Sequence, residues 1–137
     1  AQQIDERLEG FVRRIRESHP TTPLIFLQTE VRESGNFDLK KRAFEDAKRE
    51  AARKGMEKIL ETDKNIWFIN PGMKLGDDHE ATVDGVHPTD LGFERMLKKV
   101  QPQIIRILQK HGIKYFLCLI FLYKLQAFPY HIVFYLL

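Results

Sequence analysis

An α/β fold, with helices on either side of a short parallel sheet, is what this sequence predicts, and three observations predict it. Leu24-Ile25-Phe26-Leu27 and Ile66-Trp67-Phe68-Ile69 are short, continuous apolar runs bounded by turn signals, as strands buried on both faces are. Three longer stretches with apolar residues at helical spacing alternate with those runs. The stretch between the two runs is long enough for a crossover helix, so strand, right-handed crossover and parallel strand is the simplest topology.

Ile4, Leu8, Phe11, Val12 and Ile15 recur at helical spacing with Arg and Glu between them, which predicts an amphipathic helix over residues 3–18. His19-Pro20-Thr21-Thr22-Pro23 ends it, because proline removes a donor and pushes its predecessor out of the helical region. His19 reads as a loop residue near that helix end. The first strand follows, and then a loop over residues 28–36 at the strand's C-terminal end, where open α/β sheets place their ligand sites. Glu30, Arg32, Glu33 and Asn36 are candidates to line a cleft there, against the plainer reading of a solvated connector.

Asp38 is placed to cap a helix running to about residue 62, with Leu39, Phe44, Ala47, Ala51, Met56, Ile59 and Leu60 as its buried stripe. Met56 on this stripe is core, and Gly55 inside the pattern marks a slight kink. The second strand spans residues 65–69, and Trp67, embedded in it, reads as a packing residue rather than a stacking platform. A long loop over residues 70–87, rich in Gly, Asp and His, comes next, and loops of that length in a compact domain are usually functional. The last helix spans residues 89–111, with Leu91, Met96, Leu97, Val100, Ile104, Ile105 and Leu108 facing inward and Gly112 as its C′ residue.

Asp84-Gly85-Val86-His87 sits where that loop meets the last helix, and Pro88-Thr89-Asp90-Leu91-Gly92-Phe93 follows at once. A carboxylate three residues before an imidazole can accept from one ring nitrogen, fixing the tautomer while the other nitrogen takes a proton. Thr89 suits an N-cap, and Asp90 suits the positive end of the helix dipole. The block resembles the last motif of the SGNH, or GDSL-type, hydrolases. In that family the two residues are the acid and the base of a Ser-His-Asp triad that cleaves esters.

The resemblance spans residues 3–112 and implies the C-terminal half of a three-layer α/β/α, flavodoxin-like domain. It implies Asp84 and His87 as catalytic residues and calls for no cofactor. The family's nucleophile lies in a Gly-Asp-Ser motif, and a later Gly and Asn complete the oxyanion hole. This chain has no Gly-Asp-Ser, and its serines are Ser18 and Ser34. The expectation is therefore a hydrolase truncated before its nucleophile, inactive alone, whose parent acts on small-molecule or carbohydrate esters, acetyl esters among them. A rival reading gathers Asp77, Asp78, His79, Asp84 and His87 around zinc or manganese. Those residues lack regular ligand spacing, and the Asp77-Asp78-His79-Glu80 run is more simply a solvated loop.

At 137 residues the chain holds one ordinary domain. The net charge of +3 invites a nucleic-acid reading, but Lys40-Lys41-Arg42 is answered by Glu45 and Asp46, and Lys48-Arg49 by Glu50. Such mixing describes a solvated helix face rather than a phosphate-binding patch. One cysteine, Cys118, excludes an internal disulfide and leaves the compartment undetermined. The polar opening is unlike a signal sequence, and a start without methionine inside a helical pattern suggests a fragment or a processed product.

Residues 113–137 differ in kind from residues 1–112: all four tyrosines lie there, no acidic residue does, and two runs (115–123 and 127–137) are almost wholly apolar. Neither run reaches the roughly 18–20 residues that span a bilayer. Three readings stand open, namely two strands, an interfacial membrane segment, or non-native sequence. The second function class is accordingly a non-catalytic or membrane-associated fragment with an adhesive apolar tail. Two strands without neighbours leave an unpaired edge, which predicts self-association or a missing N-terminal half unless the tail pairs onto it.

Overall fold

The structure, a computed structural model, describes residues 2–70, 72, 75–113 and 133–136. Helix α1 (Gln2–Ser18) leads into strand β1 (Leu24–Leu27) and a 3-10 turn (Glu33–Asn36). Helix α2 (Leu39–Thr62), strand β2 (Ile66–Ile69), helix α3 (Asp90–Lys110) and strand β3 (Val133–Leu136) follow. The sheet order is β2-β1-β3, and both pairings are parallel, with Leu24 opposite Ile66 on one side and Val133 on the other.

Alternation along β1 explains why its run contains no polar residue. Leu24 and Phe26 point into a core shared with Leu8, Val12, Met56, Ile59 and Ile66, the layer of α1 and α2. Ile25 points the other way, among Ile69, Leu75, Ala81, Val100 and Ile107, the layer of α3. Leu24, Ile25 and Phe26 are completely buried, each contributing about 1.5–3 kcal/mol of burial free energy. Helices on both faces of a parallel sheet make this the three-layer α/β arrangement expected.

Arg16, near the end of α1, levels the two strand entrances. Its Nε donates to Asp63 Oδ2 at 2.6 Å, its Nη1 to the carbonyls of His19 and Thr22, and its Nη2 to the carbonyl of Asn65. One guanidinium thus ties the turn before β1 to the turn before β2. Trp67 packs edge-on against His111, with ring centroids 4.9 Å apart, and the Lys110 ammonium lies over its face. Gly112 ends α3 at φ +68°, with its N–H donating to Gln109 and that of Ile113 to Leu108, the hydrogen-bond pair of a Schellman motif.

Several expected core positions are on the surface. Leu39, Phe44 and Ala47 of α2 are exposed, and the helix buries Ala51, Ala52, Gly55, Met56 and Ile59 instead. The reason is length: 24 residues of helix run about 36 Å, whereas a strand of four residues covers only about 13 Å. The first half of α2 overhangs the sheet, and Gly55 lies buried within one continuous helix. Leu91 of α3 is likewise exposed, while Ile107, missing from the expected stripe, is buried.

The edge of β1 left open by the sequence reading is occupied by β3, drawn from the second apolar run. The first run, 115–123, lies outside the described residues, as do the parts of the chain on which the membrane-segment and non-native readings of the tail turn. Among the described residues no helix is long and apolar enough to cross a membrane.

Candidate active site

The loop after β2 closes into a small, self-bonded unit just before α3. Thr82 and Pro88 form an antiparallel bridge, the Val83 N–H donates to the His87 carbonyl, and the Thr89 N–H donates to the Ala81 carbonyl. Thr89 Oγ1 donates to the Glu80 carbonyl and accepts from the Gly92 N–H at 3.2 Å, so the N-cap of α3 and the foot of the loop are one structure. Gly92 is required by proximity: a Cβ there would fall on the Ala81 carbonyl oxygen.

Asp84 stands inside this unit as a three-way acceptor. Its Oδ1 takes the Val86 N–H at 3.0 Å and the His87 N–H at 2.8 Å, and its Oδ2 faces His87 Nδ1 at 2.7 Å. The backbone N–H of His87, then its ring, then the Val86 N–H hold the Asp84 carboxyl at about 2, below its ordinary 3.8. An ionised carboxylate only accepts, so Nδ1 carries the proton and Nε2 is the basic nitrogen. The His87 side chain is 77% exposed, and among the described residues no hydroxyl hydrogen-bonds its Nε2. Among the described residues the pair is an oriented imidazole and its carboxylate, with no attacking group beside it.

The loop after β1 supports this unit from below. Glu33 Oε2 accepts from Thr82 Oγ1 at 2.7 Å, and Glu33 Oε1 lies 3.4 Å from His79 Nδ1. The next residue, Ser34, donates its N–H to the Gly85 carbonyl at 3.0 Å. Gly85 adopts φ +79°, and a Cβ on it would sit 2.8 Å from the Ser34 nitrogen, so both conformation and proximity demand glycine. Beside this junction is a cleft of about 410 Å³ lined by Arg32, Glu33, Asn36, Phe37, Asp77 and His79, among others. Arg32, Glu33 and Asn36 line it, as one of the two readings of this loop expected. Glu30 is buried and is not part of the lining.

The acidic run earlier in the same loop has a different use. Asp78 takes both terminal nitrogens of Arg95, at 2.6 and 2.5 Å, and Arg95 Nη1 also donates to the Leu75 carbonyl. The Arg95 guanidinium holds the Asp78 carboxyl far below the usual carboxylate range. This clamp fastens the loop to α3. Of the five residues gathered by the metal reading, Asp84 is committed to His87, Asp78 to Arg95 and His79 to Glu33. Among the described residues no three His, Cys, Asp or Glu side chains converge on a common point.

Sequence reasoning paired Asp84 with His87, and the structure brings the two side chains within 2.7 Å. It missed Glu33 as the anchor of Thr82, 49 residues away, and Arg95 as the partner of Asp78, 17 away. Neither has a local signal, because only the fold makes the residues neighbours.

Comparison with known proteins gives a consistent result. The model of the GDSL-like lipase/acylhydrolase family matches residues 1–105. A crystal structure from Bacteroides ovatus, described as that of a GDSL-like lipase, is similar to this chain with a TM-score of 0.73 and 46% sequence identity. The similarity covers 79% of this chain and 32% of that one, so the chain spans about a third of the neighbour's length. Comparison with curated proteins finds no match.

Proposed function

This chain belongs to the GDSL-like lipase/acylhydrolase family, and from that premise we propose ester hydrolysis through a Ser-His-Asp relay, with Asp84 and His87 as its acid and base members. His87 Nε2 takes the proton of a serine hydroxyl as the serine oxygen bonds to the ester carbonyl carbon. The same nitrogen returns that proton to the departing alcohol oxygen as the C–O bond breaks. Water then repeats the sequence on the acyl-serine, releasing the acid. Asp84 keeps its charge throughout and stabilises the imidazolium that forms.

One observation carries the reading: the 2.7 Å contact from Asp84 Oδ2 to His87 Nδ1, which leaves Nε2 as the proton acceptor. The serine and the oxyanion donors belong to the part of a family domain that bears Gly-Asp-Ser, a motif not found in these 137 residues. We read this chain as supplying the Asp-His part alone, without meaningful turnover by itself. The substrate class is esters with a small acyl group on a polar alcohol, such as acetylated carbohydrates. The cleft supports that class, since Arg32, Asn36, Asp77 and His79 offer hydrogen bonds and Phe37 an exposed ring at its rim.

Turnover of 4-nitrophenyl acetate tests the proposal. The 137-residue chain should not exceed the rate of free imidazole. A chain completed with the Gly-Asp-Ser part of a family member should turn over, and His87→Ala should then lower kcat by about 10³-fold or more. An enzyme-like rate from the chain alone, abolished by His87→Ala, would contradict the division of labour. A completed enzyme indifferent to His87→Ala would overturn the assignment of the base.

A further inference from the structure

The hydrogen bonds that close the 81–89 unit fix its internal shape. Thr89 and the buried Ala81 tie its foot to α3 and to the core beneath the sheet. A second tie is made where the unit meets the loop after β1, and there two adjacent residues do separate things. Glu33, whose side chain is only 14% exposed, receives the Thr82 hydroxyl at the foot of the loop. Ser34 holds the Gly85 carbonyl at the tip, between Asp84 and His87, through its backbone N–H. The 3-10 turn presents both, and Gly85 lacks the Cβ that would push them apart.

We propose that Glu33 is a positioning residue for the Asp84–His87 pair: its carboxylate, anchored in the loop after β1, holds Thr82 and thereby sets where the imidazole stands. A carboxylate accepting from a hydroxyl in a largely buried place is shorter and stronger than a neutral contact, and it has directional preference. Its other oxygen faces His79 Nδ1, so the cleft wall and the relay loop share one anchor. The inference rests on the ester-hydrolase reading for the purpose of the pair. Its test does not need turnover, so the two fail separately.

The test is NMR on the full 137-residue chain, following the His87 Nδ1–H resonance and the titration of the Asp84 carboxyl. Glu33→Ala and Thr82→Val should each broaden or abolish the Nδ1–H signal. Each should raise the Asp84 midpoint from about 2 by about one pH unit, as its N–H donors loosen. Glu33→Gln, whose amide oxygen can still accept from Thr82, should keep most of both signatures. Arg16→Ala, at the opposite end of the strands, should lower the melting temperature and leave both signatures in place. Wild-type signatures in Glu33→Ala would overturn the proposal, and so would equal losses in Arg16→Ala. If Glu33→Ala does not fold, Thr82→Val decides by the same two readouts. Absence of turnover in the completed enzyme, with both signatures intact, would count against the esterase reading and not against Glu33.

Discussion

Two parts of one loop use the same residue types for opposite ends. At 77–80 the run Asp-Asp-His-Glu is spent on structure: Asp78 grips Arg95 of α3, and His79 leans on Glu33. Six residues after Asp78, Asp84 receives two backbone N–H groups and one imidazole nitrogen. What separates them is the partner. A guanidinium has no proton to trade near neutral pH, so Asp78 is a fastener. An imidazole does, so Asp84 biases a group that can move a proton. Carboxylates and histidines close together in a sequence therefore say little until the partner of each is known.

The largest expected effect sets the two parts furthest apart. In a completed enzyme, Asp84→Asn should lower kcat by about 10²–10⁴-fold, because an amide in that place no longer enforces the tautomer. Asp78→Asn should change kcat by less than about threefold while lowering the melting temperature, since only the clamp to α3 is weakened. Equal kinetic losses from both substitutions would erase the distinction.

The two glycines that flank these features offer a second contrast. Gly85 (φ +79°) would bring a Cβ against the Ser34 nitrogen, and Gly76 (φ +137°) would bring one against the Arg95 guanidinium. Each Ala variant should lose about 1–3 kcal/mol of stability in denaturant titration, from the left-handed backbone and the close approach. Only Gly85→Ala should also disturb the His87 imidazole signals. Gly92→Ala, normally worth a gain of about 1 kcal/mol inside a helix, should instead destabilise, because its Cβ meets the Ala81 carbonyl.

Much of this was readable in the sequence, for reasons that differ from element to element. The strands showed themselves because a central strand of a parallel sheet has no face on which a polar residue is tolerated, and β1 is buried on both. Asp84 and His87 were legible because a separation of three residues is closed by a local turn, whatever the rest of the chain does. Their cap, Thr89, was legible for the same reason. The exposed first half of α2 was not, because periodicity identifies an apolar face without saying whether anything stands opposite Leu39 or Phe44. Contacts such as Glu33 to Thr82 and Arg16 to Asp63 were not legible either. They join residues nearly fifty positions apart, and their geometry exists only once the sheet has formed.

The smallest effect is in acid. Asp84 binds its proton more weakly folded than unfolded, so its contribution to stability is fully present above the ordinary carboxylate value of 3.8 and fades as pH falls toward about 2. Asp78 is likewise held below its ordinary value, by Arg95. Carboxyl carbon NMR from pH 5 down to the acid limit of the fold should show Asp84 titrating below 3.8. A midpoint at or above 3.8 would contradict the hydrogen-bond accounting.

The account stands on the claim that Asp84 locks the proton onto His87 Nδ1 and leaves Nε2 basic. Nitrogen-15 shifts of the neutral imidazole, recorded at alkaline pH, report that tautomer directly. A His87 ring protonated on Nδ1 in the native chain, reverting to the ordinary mixture in Asp84→Asn, is the predicted result. A ring protonated on Nε2, or one already mixed in the native chain, would contradict it.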